Sequence, residues 1–291
     1  MSGRDPRQPS RAAALAGTTV GVDAGATLAK VVVREAQGGL RRELRSAQTL
    51  PAVADAVASL APTRVGLTGG GAADLDALLD ARGVATVRVN EFAAWGSGAA
   101  SLLRDQGTPS DDPYLLVSLG TGTSVMLVDG MSVSRVGGTA LGGGTVVGLG
   151  ALLLDGADFA SIAALAAEGD RRTVDLLVSD IYRPGGIPLT GDLTAANFGR
   201  LSRTEAPRPR PEDLAHAVMG LVGENVALVC GGLAAARQVR RVVFAGSTLR
   251  DNQSLRAILA LITGALGREP LFLEGGEFAG ATGALALASG G

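Results

Sequence analysis

Two segments of one pattern recur about a hundred residues apart, and they constrain the fold of this chain more than any other feature. The first, "TTVGVDAGATLAKVVV", and the second, "YLLVSLGTGTSVMLV", each read as an apolar strand, a turn of small residues and a second apolar strand. Val and Thr suit the pleated surface and glycine permits the reversal, so each predicts a tight β-hairpin. Both are followed by segments of helical period. The repetition predicts a duplicated α/β fold of two lobes with a cleft between them. The polar stretch "RDQGTPSDDP", residues 104–113, carries two prolines and marks the boundary. On this reading residues 1–17 are a disordered tail, 18–110 an N-terminal lobe and 111–291 a C-terminal lobe.

Between the hairpins, "PAVADAVASLA" predicts a helix, "RVGLTGGGA" a strand entering a glycine loop, "ADLDALLDARG" a helix with a glycine stop, and "ATVRVN" a strand. After the second hairpin, "VVGLGALLLDG", "ADFASIAALAAEGD" and "RRTVDLLVSDIY" are helical in pattern, whereas "RPGGIPLTGDLTAANFG" and "TEAPRPRPED" are irregular. A long helix over residues 211–238 leads to the strand "RRVVFAG", the helix "LRAILALITGAL", the strand "PLFLE" and a final helix "FAGATGALALA".

Composition removes several function classes. A chain of 291 residues, 46% hydrophobic with 43 glycines, can bury a sizeable core and is turn-rich rather than disordered. Its net charge of -2 gives no general attraction to nucleic acid or an anionic membrane. The single Cys230, within "NVALVCGGLAAA", excludes an internal disulfide and reads as a buried structural thiol. The single His216 lies in an amphipathic pattern without Cys or His neighbours, which argues against a metal site or a His-based triad. No apolar run reaches the length of a membrane span, and the opening "MSGRDPRQPSRAAALAG" lacks the hydrophobic region of a signal peptide. A cytoplasmic location is expected.

The hairpin turns carry the chemistry. Asp23 projects from the end of the first strand, Gly25 and Ala26 leave backbone N–H groups uncovered, and Thr27 and Lys30 add a hydroxyl and a cation. That inventory suits a phosphate and its magnesium ion, although an ordinary hairpin with a solvated Asp and Lys has the same letters. The second turn, "SLGTGTS", supplies further amides and hydroxyls, and the glycine run of "SRVGGTALGGGTVVGLGALL" predicts uncovered N–H groups at a helix start. Arg135, alone among small and apolar residues, could fork onto a carboxylate. Glu91 in "RVNEFAAWGSGAA" is either a residue favoured by the helix dipole or a general base at a strand's end. The strand-loop-helix "VVFAGSTLRDNQSLRAIL" offers Ser247 and Asn252 to a nucleotide.

In order and spacing, these motifs resemble the sugar kinase, heat-shock chaperone and actin superfamily, and more narrowly the type II pantothenate kinases of staphylococcal sort. The resemblance runs from about Thr18 to the C-terminus and rests on "DAGATLAK", "LTGGGA", "NEFAA", "GTGTS", "RVGGTALGGG", "GDRRTVDL", "GDLTAANFG", "VFAGSTLRDNQSLR" and "EFAGATGAL". It implies an actin-like, ribonuclease H-like ATPase fold, ATP and Mg2+ as cofactors, pantothenate as substrate and a homodimer joined by helices of the C-terminal lobe. By motif position it implies an ATP-binding segment of Asp23, Ala24, Gly25, Ala26, Thr27, Leu28, Ala29 and Lys30, with Lys30 on the phosphates and Asp23 near the metal, directly or through water. Glu91 would be the base that takes the proton from the substrate hydroxyl. Thr121 and Arg135 would hold substrate, Arg135 on its carboxylate, with Thr121 also at the nucleotide. Gly143, Gly144 and Thr145 would line the nucleotide site, Ser247 its adenosine end, and Phe159 the approach to it. The family usually has Gly-Gly-Thr in the first turn where this chain has Gly-Ala-Thr, so a left-handed Ala26 would be strained. A kinase of a related acceptor such as pantetheine, or a nucleotide-binding sensor without turnover, would share the scaffold.

Overall fold

The computed structural model of the chain describes residues 17–182, 193–202 and 208–290. The expected tail, but for Gly17, and part of both irregular segments lie outside the described residues. The chain divides into two units, residues 1–109 with 278–291 and residues 110–277.

In the first unit, β1 (Thr19–Ala24) and β2 (Leu28–Arg34) form the expected hairpin, followed by β3 (Leu40–Ser46), α1 (Leu50–Ser59), β4 (Arg64–Thr68), α2 (Ala72–Asp80), β5 (Thr86–Arg88) and α3 (Glu91–Asp105). The sheet order is β3-β2-β1-β4-β5, antiparallel across β3-β2-β1 and parallel across β1-β4-β5. Strand alternation sends Val20, Val22, Val31 and Val33 to one face, where Val53, Val57, Leu75 and Leu79 of α1 and α2 complete a core.

The other face is covered by α8 (Ala279–Ala288). The sequence had assigned this last helix to the C-terminal lobe; it belongs instead to the first unit. Its small residues are the reason. A Cβ on Gly98 of α3 would collide with the Ala279 carbonyl, and one on Gly283 with the Ala94 carbonyl, so the two helix backbones touch. Bare glycines let the helix sit closely, and Leu285, Ala281 and Phe278 fill the space against Val32.

The second unit repeats the plan. Strands β6 (Tyr114–Leu119), β7 (Thr123–Asp129) and β8 (Ser132–Thr139) are followed by α4 (Gly143–Leu153), α5 (Phe159–Glu168), β9 (Leu176–Leu177), β10 (Thr194–Ala196), α6 (Pro211–Ala236), β11 (Arg241–Ala245), α7 (Gln253–Ala265) and β12 (Glu269–Phe272). The main sheet runs β8-β7-β6-β11-β12, antiparallel across the first three and parallel across the last three, the same order and sense as the first unit. The expected duplication is thus present in topology. Cys230 sits in the core among Val226, Ala227 and Ala234, and burial pushes its thiol up to about 12, the behaviour of an inert side chain.

"RRTVDLLVSDIY" is not a helix. It forms two 3-10 turns, Arg171–Thr173 and Val178–Asp180, around β9, which pairs with β10. The cause is a buried charge. Arg171 donates to Glu224 Oε1 of α6 at 2.7 Å, to Thr194 Oγ1 at 2.8 Å and to Asp175 Oδ2 at 3.3 Å, while Asp175 Oδ1 accepts the Phe198 amide at 2.8 Å. Burying those groups without partners would cost more than a helical turn returns, so the segment bends to make the bonds.

Candidate active site

In the first unit, the register of the hairpin sets Asp23 opposite Lys30. Both are buried, at 3% and 9% exposure, and Lys30 Nζ lies 3.8 Å from Asp23 Oδ2. The ammonium also bends over the turn: a Cβ on Gly25 would lie 3.0 Å from it. Burial pushes the Asp23 carboxyl up from 3.8 to about 6; Lys30 works against the rise and the charge of Glu91 adds to it.

The turn departs from expectation at Gly25, and at Ala26 its geometry is the ordinary one of the two alternatives. The Gly25 amide, expected to be uncovered, donates to Leu28 O at 3.2 Å. The non-glycine residues of positive φ among those described are Ala61, Asp155, Phe198, Gln238 and Asp251, so Ala26 carries no left-handed strain.

Glu91 is the first residue of α3, exposed, behind an Asn90 cap whose Oδ1 accepts the Ala93 amide at 3.1 Å. The chain before it is pinned to β4: the Val89 amide donates to Leu67 O at 2.8 Å, and Thr68 Oγ1 to Val89 O at 3.1 Å. Thr68 is the register partner of Asp23 on the neighbouring strand. One buried threonine therefore ties the Glu91 segment to the strand pair that carries Asp23. The signal for Thr68 in "LTGGGA" is slight, a threonine that ends a strand before a glycine loop.

In the second unit, Thr121 stands exposed in the turn between β6 and β7. The uncovered amides expected at the start of α4 need correction. Gly143 N donates to Gly120 O at 2.8 Å and Gly144 N to Thr121 O at 2.9 Å, so these amides fasten α4 to the hairpin turn. The cause is proximity: with no side chain on either glycine, α4 starts directly against the turn. Thr145 is part of the same joint, its Oγ1 accepting the Gly142 amide at 3.3 Å and donating to Ala140 O at 3.3 Å.

Gly120 O accepts a second bond, from Thr248 Oγ1 at 2.9 Å, which brings the loop bearing Ser247 onto the same turn. Thr248 is buried and was missed from sequence, although it stands beside the glycine-serine pair that was noticed. Ser247, partly exposed, begins the short 3-10 turn Ser247–Leu249. Asn252 is consumed by structure: its Oδ1 caps α7 on the Leu255 amide at 3.1 Å and its Nδ2 donates to Thr248 O at 3.2 Å.

Arg135 lies exposed on β8 beside a bulge, where Met126 pairs with Arg135 and Val125 with Gly137. Its Nε donates to Ser124 Oγ at 3.3 Å, and Gly138 leaves room for the guanidinium, since a Cβ there would meet Arg135 Nη2 at 2.8 Å. Phe159 opens α5 behind an Asp158 cap and packs against the core of its unit. Two hollows in this unit, about 390 and 430 Å3, share Arg171, His216 and Leu261 and include none of the expected site residues.

Chemically, the first unit offers a buried carboxylate-lysine pair and an exposed carboxylate on a helix start; the second offers a turn of hydroxyls and carbonyls and a forked cation. The chain matches the Fumble family over residues 41–287. It is 37% identical to the type II pantothenate kinase of Staphylococcus haemolyticus over 268 residues, 92% of this chain and 99% of that one. To the type II pantothenate kinase of Staphylococcus aureus it is 36% identical over 276 residues, 92% and 98% of the two chains. Among solved structures it is similar to component A of the (R)-2-hydroxyglutaryl-CoA dehydratase of Acidaminococcus fermentans, with a TM-score of 0.63 at 18% identity over 94% of this chain and 97% of that one. A ROK family glucokinase from Streptomyces griseus, solved with glucose and AMPPNP, gives 0.59 at 15% identity over 94% and 100%. At those identities the structures speak for the fold alone, which is that of the actin-like ATPases and sugar kinases.

Proposed function

The chain belongs to the Fumble family, and from that membership we propose how its residues carry out the ATP-dependent phosphorylation of pantothenate that begins coenzyme A synthesis. The observation that carries the reading is the buried Asp23–Lys30 pair at the mouth of the first hairpin, with Glu91 close enough to act on Asp23 electrostatically. A lysine and a carboxylate removed from water at a strand reversal are costly in a purely structural role, and they match what a triphosphate and its cation require.

Lys30 binds the phosphates and lowers their mutual repulsion. Glu91 accepts the proton of the acceptor's primary hydroxyl as the new O–P bond forms and the bond to the departing ADP oxygen breaks. Arg135 forks onto the pantothenate carboxylate and orients the hydroxyl. Thr121, with the joint of Gly143, Gly144 and Thr145, holds the nucleotide, and Ser247 meets its adenosine end. Ala24, Leu28, Ala29 and Phe159 contribute shape.

Among the described residues no group of three or more His, Cys, Asp or Glu is placed to hold a metal ion. Mg2+ commonly takes one or two carboxylates and completes its shell with substrate phosphates and water, and Asp23 is the residue that would hold it. When bound, the ion supplies neutralising charge to the phosphate oxygens.

A homodimer through α4 and α6 is supported by the exposed Val147, Leu152, Leu228 and Val229 on those packed helices; a monomer in equilibrium sedimentation would remove it. A cytoplasmic location suits a user of ATP, and α6, the one described helix long and apolar enough to cross a membrane, is 67% buried within the fold over that stretch. Recovery of the native protein in the membrane fraction would overturn it.

The test is ADP release with ATP and Mg2+ in the presence of pantothenate, pantetheine or no acceptor. Release should require pantothenate, and Glu91→Gln should retain ATP binding while losing roughly 10^2-fold or more in kcat. Wild-type turnover in that variant would take Glu91 out of the mechanism.

A further inference from the structure

The short helix α8 is lined with small residues, and most of them answer to packing. Gly21 and Gly66 admit the carbonyls of Ala281 and Ala284, and Gly98 and Gly283 let α3 and α8 touch. Gly280 differs. A Cβ there would lie 2.7 Å from Asp23 Oδ2, 3.0 Å from Asp23 Cγ and 3.0 Å from Trp95 Nε1, so what it would strike is the carboxylate of the candidate site and the indole beside it. The backbone does not demand glycine at this position: it sits in the first turn of a regular helix without positive φ, where alanine is the better helix former. Across the carboxylate, a Cβ on Gly69 would lie 2.5 Å from Asp23 Oδ1, but Gly69 has a φ of +88° and needs to be glycine on that ground alone. Asp23 is thus held with one oxygen against each of two residues that have no side chain.

We propose that Gly280 is a positioning residue for the phosphoryl transfer, the bare first turn of α8 setting where the Asp23 carboxylate stands relative to Lys30. The inference rests on the reading that Asp23 serves the reaction. An added methyl would have to push Oδ2 outward by several tenths of an ångström, or turn the carboxylate away from the 3.8 Å approach of Lys30 Nζ. Misplacement on the order of 1 Å at a reacting centre costs up to about 10^2-fold in rate.

The experiment is a cycle of four proteins: wild type, Gly280→Ala, Asp23→Ala and the double variant, each measured for kcat, for the KM of ATP and of pantothenate, and for melting temperature. The expected result is a 10- to 100-fold loss of kcat in Gly280→Ala with both KM values within about 2-fold, and a further loss under about 2-fold when the same change is made in Asp23→Ala, where the carboxylate it displaces is gone. An equal loss in both backgrounds would show that Gly280 acts through packing and would overturn the proposal. A slow Asp23→Ala beside an unaffected Gly280→Ala overturns this inference alone; an Asp23→Ala as fast as wild type overturns the role of Asp23 beneath it. Should Gly280→Ala melt too low to assay, the melting temperatures decide. The glycine change should lower the melting temperature more in wild type than in Asp23→Ala, where only the contact with Trp95 remains, and a drop of equal size in both overturns the proposal.

Discussion

Replacing Asp23 with asparagine should make the protein more stable while removing its activity, and the size of the gain follows from the site. Burial raises the Asp23 carboxyl from 3.8 to about 6, so the folded state binds its proton more tightly than the unfolded state does. Between those two values the folded protein holds more protons, and wild-type stability therefore falls as pH rises through the window and levels off above about 6. At pH 7.5 the buried charge costs about two pKa units at 1.36 kcal/mol each, or about 3 kcal/mol; at pH 4.5 the same relation leaves about 1 kcal/mol. The attraction of Lys30 is already inside those figures, because it is one of the causes that set the raised value. Asparagine mimics the protonated form and does not titrate. Asp23→Asn should accordingly melt about 5 °C above wild type at pH 7.5, with the offset shrinking to a degree or two at pH 4.5. The assay is thermal unfolding followed by circular dichroism across that range, with ADP release measured on the same preparations. A variant that melts at or below wild type at pH 7.5, or an offset that does not change with pH, would refute the account of Asp23 as a buried charge held for function at the expense of stability.

Two other substitutions test the second unit. Arg135→Gln should raise the KM for pantothenate by about 10^2-fold, the loss expected for a forked charge-assisted pair, and leave the KM for pantetheine within about 2-fold, since that acceptor has no carboxylate; equal effects on both acceptors would place Arg135 elsewhere than on the carboxylate. Thr248→Val keeps the shape but removes the donor to Gly120 O, and with about 1–3 kcal/mol at stake it should raise the KM for ATP by about 10-fold and lower the melting temperature, as nucleotide titration and thermal melts would report. Unchanged values would mean that the carbonyl is satisfied by Gly143 alone.

What the sequence made legible was local. Each hairpin declared itself because β-branched residues flank a turn of glycine and alanine or threonine, and that pattern needs no tertiary information. The outer strand of each antiparallel half was hidden: β3 reads "LRRELRS" and β8 reads "SVSRVGGT", one charged along an edge and the other broken by serine and glycine, so neither shows an apolar run. The helical pattern of residues 171–182 was overridden by Arg171, whose partners Glu224 and Thr194 are 53 and 23 residues away in sequence. Likewise the amides of Gly143 and Gly144 looked free because nothing in a glycine run says that the chain's own turn will accept them. The same blindness placed α8 with the wrong unit, since its membership depends on which glycines it meets. The candidate residues whose type stands out in their own segment, Asp23 and Lys30 on the hairpin strands, Glu91 at a helix start and Arg135 on β8, were readable; Thr68, Thr248 and Gly280, whose contacts come from distant segments, were not.

The two hairpins of the duplication differ at one register position. In both hairpins the pair next to the mouth occupies the same register: Asp23 opposite Lys30 in the first unit, Ser118 opposite Ser124 in the second. One copy carries a buried charge of each sign, and the other carries two hydroxyls, one of which accepts the Nε–H of Arg135 at 3.3 Å. Two charged mouths would double the desolvation cost and set two carboxylates against a polyanion, whereas two neutral ones would leave the phosphates without a cation. On the proposed reading, the charged copy serves the reacting phosphate and its metal, and the neutral copy of hydroxyls and carbonyls, with a cation set one strand further out, serves the substrate carboxylate. The asymmetry thus lies in one register position of a repeated hairpin, and on the proposed reading Ser118→Asp with Ser124→Lys, which sets a cation beside Arg135, should raise the KM for pantothenate in the ADP-release assay; an unchanged KM would count against that role of Arg135.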